Sequence, residues 1–137
     1  ELAVLLGGYA SEQKTFNDIS TGASNDLQMA SELARKLVTK FGMSEKLGPI
    51  TYGKTEELVF LGREIATEKN YSEKIAGEID KEVKNFIDKA LATAQKIIVA
   101  RKKVLQAIAK KLIEKETLER EEFENLIKSF RLKPMSA

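Results

Sequence analysis

Apolar residues along most of this chain recur at spacings of three and four, the period of one face of an α-helix. Leu2, Leu5, Leu6 and Tyr9 predict a helix over about 2–13. Gly7 and Gly8 interrupt it, each costing about 1 kcal/mol relative to Ala in a helix interior. Such a pair marks either a close approach to a neighbour or a break. The run "FNDISTGASN" reads as a loop of small, turn-forming residues. Ala30, Leu33, Ala34, Leu37 and Phe41 then share a face, with Glu32, Arg35 and Lys36 opposite, so a helix is expected over 24–41. Gly42 is its natural stop. The pattern changes next: Gly48, Pro49 and Gly53 punctuate "ITY" and "LVFL", pieces of strand composition. An irregular or two-stranded β segment is expected near 48–62. Ser72 is placed to cap the longest stripe: Ile75, Ile79, Val83, Phe86, Ala90, Ala94 and Ile97, resumed by Val104, Ile108 and Leu112. It predicts helix over 72–115, either continuous or broken near Thr93 to Ala100. A turn, capped by Thr117, leads to a last helix over 118–130, and 131–137 reads as a flexible tail. The whole predicts an all-α, mainly helical bundle in one domain.

Composition narrows what such a bundle can do. At 137 residues the chain can bury a core. Its 23 basic and 21 acidic residues give a net charge of +2 and are interspersed, unlike the one-faced basic cluster of a nucleic-acid binder. The basic run "ARKKVLQAIAKK" is followed at once by "IEKETLEREEFE", so a solvated helix face is the simpler reading. Cysteine and histidine are both absent. That excludes a disulfide framework, a thiolate or imidazole metal site made by this chain alone, and any Ser-His or Cys-His catalytic pair. Gly53-Lys54-Thr55 lacks the spacing of a phosphate-binding loop. No apolar run approaches the roughly 20 residues of a membrane span, and no signal peptide is visible. The opening "ELAVLLGG", without Met, reads as a cut edge of a longer protein, which would leave Leu2, Leu5 and Leu6 exposed for want of a partner.

Two carboxylates stand out as candidate chemistry. Asp26 falls in the first turn of the 24–41 helix and leans toward its apolar face. A helix-start Asp is favoured by the macrodipole by roughly 0.3–1 kcal/mol, but an inward carboxylate without a partner costs several kcal/mol of desolvation, so it calls for a cation, a metal or donors. Glu12, at the end of the first helix, is either a solvated surface residue or a second carboxylate of a shared site. Without histidine, such a pair suits magnesium, calcium or acid–base work better than zinc.

The blocks "LAVLLGGYASE", "STGASNDLQMASELARKLVTKFGMSEKLGPITYG", "VFLGREI", "NYSEKIAGEIDKEV" and "LIEKETLEREEFENLI" together resemble, in order, the FtsH family of membrane-anchored, ATP-dependent zinc metalloproteases. The match extends to about Phe130 and corresponds to the C-terminal part of the peptidase domain, after the zinc-binding helix. The resemblance implies that Asp26, in the "TGA-x-ND" stretch, is the third zinc ligand. The two histidines and the general-base Glu of a His-Glu-x-x-His helix would lie upstream, outside this chain. Glu12 would be a supporting residue near the metal. Tyr9 and Gln13 depart from the Arg and Glu usual in that block. The resemblance further implies a homo-hexamer acting on unfolded or membrane protein substrates in protein quality control. ATP and magnesium would bind at a separate ATPase domain. Contact with the membrane would be only through segments outside this chain, with the peptidase domain on the cytoplasmic, matrix or stromal side. No nucleic-acid partner is implied. By itself the chain is expected to be proteolytically inactive. The alternative is a non-catalytic helical module for assembly or substrate contact.

Overall fold

The computed structural model describes residues 1–55, 67–68 and 70–132. As the periodicity predicts, among the described residues the fold is all-α apart from one small ribbon. The first apolar stretch forms two helical pieces, α1 (Leu2–Leu5) and α2 (Gly7–Phe16), joined at Leu6. A Cβ added at Gly7 or Gly8 would meet nothing within 4 Å, so this glycine pair accompanies a break and not a close approach. A 3-10 turn (Thr21–Ala23) leads directly into α3 (Ser24–Thr39). Then come β1 (Lys54–Thr55) and β2 (Thr67–Glu68), paired antiparallel with Lys54 opposite Glu68. The ribbon therefore closes farther along the chain than the expected 48–62. "ITY" precedes it and is not strand, and "LVFL" lies outside the described residues.

Helix α4 (Glu73–Ala100) is capped by Ser72, whose Oγ accepts from the Ile75 N–H. Arg101 ends it, and α5 (Lys102–Lys115) follows. The long stripe is thus two helices, with the break just past the expected window. Helix α6 (Arg120–Ser129) starts after Glu119, with no side-chain cap from Thr117.

The core forms where α1, α2 and α3 pack on α4. Leu6, Ala10, Ala30 and Ala94 are buried together, with Leu2, Leu5, Leu27, Ile87, Leu91 and Ile98 packed against them. Small alanines let these helix axes come close, and the larger side chains fill the rim. The Leu2, Leu5 and Leu6 stripe is therefore not exposed as expected, because α4 supplies its partner surface. Phe41 also departs from expectation. It lies beyond the end of α3 and is exposed, and Val38 takes the inward position. Among the described residues no helix is long and apolar enough to cross a membrane.

Candidate metal-ligand site

The site is built from the junction between α2 and α3. Asn17 ends α2 in the left-handed conformation (φ 53°), which Asn tolerates better than most residues. The chain then turns back along the helix it has just left. Asp18 Oδ1 accepts from the Ile19 N–H at 2.8 Å. Ser20 meets Glu12 twice: its N–H donates to Oε2 and its Oγ donates to Oε1, both at 2.8 Å. The same Ser20 Oγ accepts from the Gly22 N–H at 3.1 Å and so caps the 3-10 turn. Gly22 is confined between them, since a Cβ there would lie 3.2 Å from Ser20 Oγ and 3.6 Å from Glu12 Oε1. Ala23 buries its methyl group and hands the chain to α3 without any side-chain cap.

Asp26 sits in the first turn of that helix, half-buried. Among the described residues neither a hydrogen bond nor an ion pair engages its carboxylate. The two candidate carboxylates thus flank one turn but differ in state. Both Glu12 oxygens already accept from Ser20, whereas Asp26 keeps its lone pairs free, with the positive end of the α3 dipole favouring its charge.

The donor set bears on which metal could be held. Zinc in catalytic sites takes three protein ligands from imidazole, thiolate or carboxylate groups. This chain has no His or Cys, and no group of three potential ligands occurs among the described residues. Asp26 fits one oxygen position of such a set. Glu12 holds Ser20 through both of its oxygens. A cleft of about 240 Å³ opens beside Glu12, lined by Glu12, Phe16, Asp18, Ile19 and Ser20 and not by Asp26. Ser20 is the member of the site that helical periodicity misses; its signal is the hydroxyl two residues before Gly22 in "STGAS".

A second polar cluster lies at the other end of α3. Buried Ser44 donates to Glu82 Oε2 at 2.6 Å and accepts from the Leu47 N–H at 3.0 Å. Nearby, Lys46 pairs with Glu78, which Lys81 also reaches at 2.9 Å. The Lys46 hydrogen bond, followed by that of Lys81, pushes the Glu78 carboxyl down to about 2, and the same contact raises Lys46. Both basic partners are surface side chains, so this cluster reads as an anchor of the 44–47 turn on α4. At position 13, the departure to Gln supports a neutral link: Gln95 Nε2 donates to Gln13 Oε1 at 2.6 Å, tying α2 to α4.

The sequence pattern that defines peptidase family M41 matches residues 1–126. The chain is 50% identical over 134 residues to "ATP-dependent zinc metalloprotease FtsH 1" of Thermomicrobium roseum, covering 98% of this chain and 21% of that protein. It is 49% identical over 126 residues to the protein of the same name in Thermoanaerobacter sp. (strain X514), covering 92% of this chain and 21% of that one. With "ATP-dependent zinc metalloprotease FtsH" of Thermotoga maritima it shares 45% identity over 127 residues, 93% of this chain and 21% of the relative. The chain spans about a fifth of the length of these curated relatives.

Proposed function

The chain belongs to peptidase family M41, and from that membership we propose that it is the C-terminal part of the peptidase domain of an ATP-dependent zinc metalloendopeptidase. In this reading Asp26 is the third protein ligand of the zinc, and two imidazoles and the general-base carboxylate come from outside this chain. The observation that carries the reading is the half-buried, unengaged Asp26 carboxylate at a helix start whose preceding turn is pinned by Glu12 and Ser20.

When bound, zinc polarises the peptide carbonyl and lowers the pKa of its water. The residues of this chain do the holding. Asp26 supplies one oxygen donor from a rigid helix, Glu12 and Ser20 fix the turn before it, and the alanine-rich packing of α3 on α4 fixes the helix itself. The complete protein acts on unfolded or membrane protein substrates as a membrane-anchored hexamer, driven by a separate ATPase module that binds ATP and magnesium. The isolated chain, with one ligand and no base, is inactive.

Replacing Asp26 by Asn in the intact protein tests this. Zinc binding is expected to fall by more than the roughly 10–100-fold typical of losing a mere supporting residue, with casein degradation lost and ATP hydrolysis retained. Unchanged zinc affinity in the variant, or zinc-dependent casein cleavage by the isolated chain, overturns the reading.

A further inference from the structure

We infer that Ser20 is a positioning residue for the metal ligand: its hydroxyl, held by Glu12, locks the turn that fixes the aim of the Asp26 carboxylate. The inference rests on the assignment of Asp26 as a zinc ligand.

Helix starts fray first, because their leading N–H groups have no partner within the helix. In α3 the residue at the N-cap is Ala23, which offers no side-chain oxygen. Order in the first turn, where Asp26 sits, must therefore come from the turn before it. That turn has one device. Ser20 Oγ accepts from the Gly22 N–H and donates to Glu12 Oε1, and the Ser20 N–H donates to Glu12 Oε2. One hydroxyl thus links the end of α2 to the backbone that opens α3. Gly22 leaves no slack, since an added methyl there would press on Ser20 Oγ at 3.2 Å. Ala23, buried, closes the far side of the turn.

The division of labour follows from the two carboxylates' states. Each Glu12 oxygen accepts one hydrogen bond from Ser20, and in this reading Glu12 acts as a support through the serine. Partners that orient a ligand typically change metal affinity 10–100-fold when removed. Ser20→Ala removes the cap on Gly22 and one of the two Glu12 contacts, while leaving the Ser20 N–H bond to Glu12. Ser20→Thr keeps the hydroxyl. Glu12→Gln keeps one acceptor of the two.

The test is zinc affinity of the intact protein, measured by competition with a chromogenic chelator, beside ATP hydrolysis and melting temperature as measures of fold. Ser20→Ala is expected to bind zinc about 10-fold more weakly, and Ser20→Thr to restore affinity to within about twofold of the parent. Glu12→Gln is expected to fall between them, and it decides the matter if Ser20→Ala does not fold. Should Ser20→Ala, or in its place Glu12→Gln, bind zinc as the parent does while Asp26→Asn loses it, the positioning role is wrong and the ligand assignment stands. Should Asp26→Asn itself keep zinc, the ligand assignment falls and the positioning role with it.

Discussion

Asp26 and Glu12 are both carboxylates at the edge of one turn, yet the fold uses only one of them. Glu12 accepts two hydrogen bonds from Ser20 across the α2–α3 junction. Hydrogen bonds to charged groups are worth about 1.5–3 kcal/mol when well shielded, and less where water competes, as here. Glu12→Ala should therefore lower the stability of the metal-free chain by about 1–2 kcal/mol, read from urea or thermal unfolding. Asp26→Ala breaks no hydrogen bond and loses only a dipole interaction, so it should change stability by about 0.5 kcal/mol or less. A loss for Asp26→Ala as large as that for Glu12→Ala would mean that Asp26 is a structural cap and not a free ligand. The half-buried placement of Asp26 in the first turn of α3 was legible in the sequence, because helical spacing turns it toward the apolar face. Ser20 was not, because a loop hydroxyl makes its contacts through space and leaves no period.

At the scale of elements, the helix boundaries separate what chain chemistry announces from what packing decides. The sequence places the stop of α3 at Gly42, but the helix ends at Thr39 with Lys40 as its C-cap, and Gly42, two residues on, turns the chain away at a φ of +60°. A Cβ there would lie 3.0 Å from Pro49 Cα and 3.2 Å from Ile50 N, with backbone that cannot swing aside. Gly42→Ala should cost about 2 kcal/mol or more, since left-handed backbone alone costs an L-residue about 1–2 kcal/mol; a melting temperature equal to the parent's would refute it. The converse case is Glu116, which ends α5 at φ 62° with no glycine to ease it. Glu116→Gly should stabilise the chain by about 0.5–1 kcal/mol, the relief of strain exceeding the added freedom of the unfolded chain. The break at Arg101 had no such marker. The apolar stripe runs through it with no Gly or Pro, so spacing alone could not locate it. The ribbon was misplaced for a related reason: its two strands are short, and pairing between distant segments overrides local composition.

The whole molecule is held unevenly, and this sets its response to acid and to exchange. Among the described residues, the buried apolar side chains lie at the α1–α2 junction (Leu6), in α2, α3 and α4 and in the turn before α3, while α5 contributes Val104 and α6 none. The 44–47 turn is tied to α4 by Glu78, whose carboxyl is pushed to about 2 by Lys46 and Lys81. A lowered folded pKa gives stability that is present above 4.5, the ordinary carboxylate value, and lost as pH falls toward 2. The melting-temperature gap between parent and Glu78→Gln should therefore be full at neutral pH and close between 4.5 and about 2; a gap independent of pH would discard the pairing. The α5–α6 hairpin depends on a lighter tie. Lys115 pairs with Glu122 across the turn and lowers its carboxyl as well. With few buried apolar contacts, this hairpin should open without the rest of the fold. Hydrogen exchange on the isolated chain should show α6 amides exchanging well before those of α4 around Ile79 to Ala94. The difference should widen as pH falls below 4.5, after correction for intrinsic exchange, because protonated Glu122 no longer attracts Lys115. If α6 is instead protected to the same degree as α4 at every pH, the hairpin belongs to the same cooperative unit as the core, and its few buried contacts hold it more firmly than their number implies.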